Sequence, residues 1–132
     1  MIRRRYTFLG IALALATFPA HSHHSFAAVF NADSPFEISG IVTKIEWMNP
    51  HAWFYIDTDG ADGQVDEWAL EMGSPIGLAR RGWTRHTLQI GQKLTVSGYR
   101  AKDGGFAGSV RSVRLPDGQE LSGASSKGPD RP

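Results

Sequence analysis

The chain has 132 residues, with 14 Lys and Arg, 13 Asp and Glu, five His and no Cys. This length suits one domain with one hydrophobic core. The near-neutral charge means that the chain lacks the excess of basic residues typical of nucleic-acid-binding proteins. The lack of cysteine excludes disulfides, thiolate metal sites and thiol nucleophiles.

Residues 1–22 have the pattern of a secretory signal peptide. Three arginines at positions 3–5 precede an apolar run, and Ala20 and Ser22 are small residues suited to the −3 and −1 positions of a cleavage site. The apolar run is about 13 residues long, whereas a membrane-spanning helix needs roughly 20. We therefore expect a periplasmic or secreted protein without stable membrane insertion, starting at His23. Cleavage after Ala20 is the alternative and would start the chain at His21.

Removal of residues 1–22 changes the charge balance of the protein. The segment contains three arginines and no acidic residue, so the mature chain keeps 11 basic and 13 acidic residues among 110. The net charge is then −2, which provides no polybasic face for a membrane surface.

Residues 36–47 predict a first strand whose hydrophobic alternation changes phase once. Gly40 lies at the phase change, which is typical of a β-bulge. Before Gly40, Phe36 and Ile38 share one face of the strand. After it, the shared face is formed by Ile41, Thr43, Ile45 and Trp47, which an unbroken alternation would place opposite.

Residues 51–58 and 65–72 predict two further strands, joined into a hairpin by a turn rich in Gly and Asp at residues 59–63. The alternation places Ala52, Phe54 and Ile56 on one face of the second strand. Trp68 and Leu70 share a face of the third strand.

A short helix is predicted at residues 76–81, because Ser74 can cap it, Pro75 suits its first position and Gly82 can end it. Strands are predicted at residues 93–100 and 106–115, followed by a short segment at 119–121 and a disordered tail at 122–132. This order predicts an all-β fold for residues 23–121, a small five-stranded OB-like barrel with one short helix between strands three and four. An up-and-down barrel or a β-sandwich is the alternative.

Six short motifs run through the mature chain. They are His-His-Ser-Phe at 23–26, Glu-Trp-Met-Asn-Pro-His at 46–51, Gly-Ser-Pro at 73–75, Arg-Gly-Trp at 81–83, Ala-Lys-Asp-Gly at 101–104 and Leu-Pro-Asp-Gly at 115–118. In these motifs the chain resembles a family of small exported bacterial proteins of unknown function. Members often have Gly where this chain has Met72. The resemblance implies no particular activity.

The histidine-rich start predicts a transition-metal site. If His23 is the first residue, its amine and imidazole form a chelate, and one further imidazole completes a three-nitrogen arrangement that suits Cu(II). His51, at the start of the second strand, is the favoured partner, and His24 is nearer in sequence. Glu71, at the end of the third strand and near the same open end of the hairpin as His51, could orient an imidazole or add an oxygen ligand. If cleavage follows Ala20, His23 becomes the third residue, an arrangement that also favours copper.

Two other readings stay open. In the first, the histidines at the start form only a polar linker. The protein is then a metal-free module in which Trp53, Tyr55 and Trp68 bind a carbohydrate, a peptide or an envelope protein. A copper redox enzyme is a further alternative. The sequence contains no recognisable nucleophile motif or phosphate-binding loop, so we expect a protein that carries or buffers metal rather than an enzyme. The sequence does not specify the oligomeric state.

Overall fold

The computed structural model describes residues 26–124, which form two short helices and six strands. The helices are α1 (Phe26–Val29) and α2 (Pro75–Ala79). The strands are β1 (Phe30–Glu46), β2 (Trp53–Asp59), β3 (Val65–Glu71), β4 (Lys93–Ala101), β5 (Ala107–Arg114) and β6 (Glu120–Ser122). The predicted signal peptide, the predicted ligands His23 and His24, and most of the predicted tail lie outside the described residues. In the part that is described, no helix has the length and hydropathy needed to cross a membrane.

Five strands close into a ring. β1 pairs antiparallel with both β2 and β4, β2 pairs with β3, and β4 pairs with β5. A parallel pairing between β3 and β5 completes the ring, and β6 continues along the same edge of β5, opposite β4. The helix α2 lies between β3 and β4 in the chain. The predicted all-β class and the predicted element order are therefore confirmed.

The hydrophobic core fills the inside of the ring. Phe54, Ile56, Leu70 and Val96 are all completely buried. The wider core cluster is formed by Val42, Ala52, Trp68, Met72, Leu78, Trp83, Leu88, Leu94, Val110, Val113, Leu115 and Leu121. This apolar cluster is the main source of stability in a chain that has no disulfide.

The first strand differs from its prediction in two ways. It begins at Phe30, six residues before the predicted start, and its register with β2 shifts between Val42 and Lys44 rather than at Gly40. Gly40 is buried and faces inward, where a Cβ would collide with the backbone oxygen of Asp57. The glycine therefore allows a close approach of β2, while the bulge that changes the phase lies at Thr43.

The segment around α2 agrees closely with its prediction. The side chain of Ser74 accepts a hydrogen bond of 3.3 Å from the amide of Gly77, and Pro75 is the first helical residue. The helix ends at Ala79, two residues earlier than expected. Gly82 follows with a φ of 92°, a conformation that glycine adopts readily.

The C-terminal end of the described chain is ordered beyond the predicted boundary at residue 121. Ser122 belongs to β6, and the amide of Gly123 donates to the carbonyl of Arg111 at 3.0 Å. The indole of Trp83 donates to the carbonyl of Ser122 at 2.8 Å. Residues 122–124 are therefore part of the folded domain, and residues 125–132 lie outside the described part.

The predicted grouping of Trp53, Tyr55 and Trp68 on one binding face is wrong. Trp68 is buried at one end of the core, with its ring 5.0 Å from Phe36. Trp53 and Tyr55 alternate with the buried Phe54 and Ile56, so they lie on the outer face of β2. Trp68 pairs with the inward-facing Ile56, so its side chain also faces inward. It therefore lies on the side of the sheet opposite to Trp53 and Tyr55.

Candidate functional site

The β2–β3 hairpin brings His51 and Glu71 together at its open end. Trp53 pairs with Glu71, and two backbone hydrogen bonds extend the pairing beyond the strands. The amide of Ala52 donates to the carbonyl of Gly73 at 3.1 Å, and that of Met72 donates to the carbonyl of Ala52 at 2.9 Å. Sequence reasoning expected these two residues to be neighbours because they end the same hairpin.

The two side chains form a hydrogen bond between Nδ1 of His51 and Oε1 of Glu71. Their side chains are 33% and 17% exposed, so the pair is partly shielded from water while the imidazole remains accessible. A neutral imidazole that carries its proton on Nδ1 donates to the carboxylate and leaves the lone pair of Nε2 available. This is the usual arrangement of a metal-binding histidine with its orienting carboxylate.

Trp53 separates this pair from a second polar cluster on the outer face. The strand register places Trp53 directly between Glu46 of β1 and Glu71 of β3. Glu46 accepts hydrogen bonds from Lys44 at 2.7 Å and from the hydroxyl of Tyr55 at 3.0 Å. The ammonium of Lys44 also lies 4.8 Å from the centre of the Tyr55 ring.

Ionisation of the second cluster is altered by these contacts. The hydrogen bond from Lys44, with help from Tyr55, lowers the pKa of Glu46 from its ordinary value. Burial, followed by the hydrogen bond to Glu46, raises the pKa of Tyr55. Glu46 is thus engaged with Lys44 and Tyr55 rather than directed toward His51. Sequence reasoning missed this cluster because the bulge at Thr43 sets the register that places Lys44 opposite Tyr55.

The beginning of the described chain is fixed on the outer face of β4. The ring of Phe26 lies 5.5 Å from that of Phe30 and 5.7 Å from that of Tyr99. The amide of Lys102 donates to the carbonyl of Val29 at 2.9 Å, and its ammonium donates to the carbonyl of Ala27 at 2.5 Å. Helix α1 therefore has a defined position relative to the ring.

A single row of paired residues connects this position with Glu71. Tyr99 of β4 pairs with Ser109 of β5, and Ser109 pairs with Glu71 of β3. Neighbouring strands are about 4.8 Å apart, so Glu71 lies roughly 10 Å from Tyr99 across the sheet. Tyr99, which Phe26 contacts, therefore shares one row of the sheet with Glu71.

The remaining described histidine is separate from this site. His86 is exposed, and its backbone amide donates to the hydroxyl of Thr84 at 3.2 Å within a surface turn. Over residues 26–124, no three His, Asp or Glu side chains are grouped closely enough to hold a metal ion. The described part contributes one imidazole and one carboxylate, those of His51 and Glu71.

Comparison with known proteins identifies a family for the chain. No curated protein matches it. A family model does match, over residues 12–111, and the family is described as DUF6152, a family of unknown function. Since this match covers well over half of the sequence, the chain belongs to the DUF6152 family.

Proposed function

We propose that this protein is exported to the periplasm or beyond and binds a transition metal, preferably Cu(II), between its mature N-terminus and His51. The amine and imidazole of His23 would supply two nitrogen ligands, and Nε2 of His51 the third. Glu71 orients the His51 ring. The hydrogen bond between His51 and Glu71 carries the proposal, because it leaves an accessible imidazole nitrogen in a fixed orientation.

The chain length limits where the metal could lie. An extended chain spans at most about 3.6 Å per residue, so His23 lies within roughly 11 Å of Phe26. His24 is nearer to Phe26 in the chain and remains the second candidate.

Carriage or buffering of copper is the role that suits such a site. Both a terminal amine and an imidazole release their protons to a metal at modest cost near neutral pH. Cleavage after Ala20 would instead make His23 the third residue, and the amine, two backbone amides and the imidazole would bind Cu(II). The cleavage site therefore determines the coordination.

The test is a Cu(II) titration of the exported protein after its intact mass has identified the first residue. We expect one tight site, lost in His23→Ala and weakened about 10- to 100-fold in His51→Ala. His86→Ala is the matched control, because it removes an exposed imidazole elsewhere, and it should bind as the wild type does. A mature chain that starts at Ser25 or later, or equal binding by all variants, would overturn the proposal.

A metal-free binding module is the second candidate. It is favoured by Trp53 and Tyr55, which lie side by side on the outer face of β2 beside the polar groups of Lys44 and Glu46. Aromatic rings flanked by such groups are suited to a carbohydrate, a peptide or an envelope protein. Trp53→Ala would then abolish binding of that partner, whereas removal of copper would leave binding unchanged.

A further inference from the structure

We propose that a groove on the outer face of β1, β4 and β5 binds a small zwitterion, an α-amino acid with an apolar side chain. We call it the β4 groove; it is lined by Pro35, Glu37, Ser97, Tyr99 and Arg111, with Phe36 and Gly98 between them. Its volume of about 340 Å³ lies within the range of small-molecule sites. The groove is separate from the His51–Glu71 pair, and its function is independent of metal binding.

Two rows of paired residues form the walls of the β4 groove. Pro35 pairs with Tyr99 in one row, and Glu37 pairs with Ser97 in the next. The two β4 residues alternate with buried ones, so both face outward. Residues two apart on a strand are separated by about 7 Å, which leaves a groove between an apolar wall and a polar wall. The ring of Phe26 packs edge-on against that of Tyr99 at 5.7 Å and supports the aromatic wall.

A β-bulge brings a positive charge to one end of the groove. Ser97 pairs with Ser112 and the next residue, Gly98, pairs with Val110, so Arg111 is an extra residue without a partner on β4. Arg111 is exposed and lines the groove. The groove therefore has a carboxylate from β1 and a guanidinium from β5, whose strands are two spacings or roughly 10 Å apart.

The polar wall can only accept hydrogen bonds from a ligand. Ser112 donates its single hydroxyl proton to Oε1 of Glu120 at 2.7 Å, and this hydrogen bond lowers the pKa of Glu120. The hydroxyl oxygens of Ser97 and Ser112 are 2.9 Å apart, so Ser97 donates to Ser112 and presents lone pairs to the groove. A carboxylate at Glu37 is also an acceptor. A ligand beside this wall has to supply the donors.

A zwitterion matches both charges of the groove. Within residues 26–124, neither Glu37 nor Arg111 forms an ion pair. An α-ammonium supplies donors for Glu37 and Ser97, and an α-carboxylate accepts two parallel hydrogen bonds from Arg111. An apolar side chain then covers the rings of Pro35 and Tyr99. A neutral sugar would fill the same volume without pairing with either charge.

The experiment uses the exported protein with a chelator present, so that copper takes no part. L-leucine should shift the backbone amide signals of residues 36–37, 97–99 and 111 in NMR spectra. L-leucinamide lacks the carboxylate and N-acetyl-L-leucine lacks the ammonium, so each should bind about 10-fold more weakly than leucine. Glycine, which has no side chain to cover the rings, should also bind more weakly.

Two variants connect each charge of the groove with one end of the ligand. Arg111→Gln should bind leucine about 10-fold more weakly and no longer prefer it to leucinamide. Glu37→Gln should lose a similar factor and no longer prefer leucine to N-acetyl-leucine. Both residues are exposed, so the fold should be retained.

Arg114→Gln is the matched control, because it removes another exposed arginine of β5 that pairs with Glu120 instead, and it should bind leucine as the wild type does. Absence of leucine binding by the wild type would overturn the inference. So would unchanged preferences in the Arg111 and Glu37 variants, or tighter binding of glucose than of leucine in the same groove.

Discussion

At the scale of single residues, Glu71 has two alternative roles in the proposed metal site. It either orients His51 through Nδ1 or contributes an oxygen ligand, and its hydrogen bond to His51 favours the first. Glu71→Gln keeps an oxygen that can accept from Nδ1, so we expect Cu(II) affinity within a few-fold of the wild type. Glu71→Ala removes the acceptor and should cost about 10- to 100-fold.

The two variants are compared by competitive titration against a chelator of known affinity. Glu67→Gln is the control, since Glu67 is an exposed carboxylate on the same strand. Equal and large losses in Glu71→Gln and Glu71→Ala would show that the carboxylate itself is a ligand, because an amide oxygen binds Cu(II) far less well than a carboxylate does.

Glu46 gives a prediction for the pH dependence of stability. Its pKa is lowered in the folded protein by Lys44 and Tyr55, so its ionised form favours folding. That contribution is present above the unfolded pKa of about 4.3 and is lost as the pH falls through the lower folded pKa. Glu46→Gln lacks this titration. The stability difference between wild type and variant should be constant from pH 7 to 5 and shrink toward pH 3.

This prediction is checked by urea unfolding at each pH in low salt, where exposed charges are least screened. Glu37→Gln, which changes an exposed carboxylate earlier in the same strand, is the control. A difference that grows as the pH falls would contradict the assignment of Lys44 and Tyr55 as the groups that favour the ionised form.

The contact between His51 and Glu71 could be predicted from sequence, whereas the Glu46 cluster could not. Counting back from the turn at residues 59–63 is enough to place His51 and Glu71 at one hairpin end. The pairing of Lys44 with Tyr55 depends on the extra residue at Thr43, because an unbroken register would place Phe54 opposite Lys44. Nothing local in the sequence indicates that position.

At the scale of elements, most strands could be predicted within two residues, because inward and outward residues alternate clearly. The first strand was the exception. Ile41 is hydrophobic yet 48% exposed, and Gly40 has no side chain yet occupies an inward position. Residues 31–34, three of which are polar, carry no hydrophobic alternation, and the pairing of β1 with β4 is irregular there. Long-range contacts decide both features, since the pairing with β2 sets the bulge and the pairing with β4 extends the strand back to Phe30.

The element β6 provides a test of how far the folded domain extends. Leu121 is 8% exposed within the core cluster, Trp83 donates to Ser122, and the amide of Gly73 donates to the carbonyl of Gly123 at 3.0 Å. Deletion of residues 120–132 removes all these contacts. We expect a loss of about 2–5 kcal/mol in the free energy of unfolding, from the buried leucine and the orphaned indole.

Deletion of residues 125–132 is the matched control for this truncation. It keeps the hydrogen bond of 2.8 Å between Arg81 and the carbonyl of Ala124, so urea unfolding should remain within about 0.5 kcal/mol of the full-length protein. Equal stability of both truncated proteins would show that β6 contributes little to the domain.

At the scale of the whole molecule, the proposed site connects parts of the chain that are far apart in sequence. His51, the proposed ligand, belongs to a hairpin that the parallel β3–β5 pairing closes into the ring, and Phe26, near the proposed mature N-terminus in sequence, contacts Tyr99 of β4. In the unfolded chain these ligands would be separated. Metal that binds only the folded protein stabilises it by about 2.7 kcal/mol at a concentration 100 times its dissociation constant.

Cu(II) should therefore raise the unfolding temperature of the exported protein by several degrees, as measured by circular dichroism with and without a chelator. The control carries four alanines before His23, which moves the free amine away from the site and leaves every side chain in place. Its stabilisation should be much smaller, because the remaining imidazoles form no chelate with an amine. Equal stabilisation of both proteins would mean that the terminal amine is not a ligand, since the extension leaves the fold and the His51–Glu71 pair unchanged.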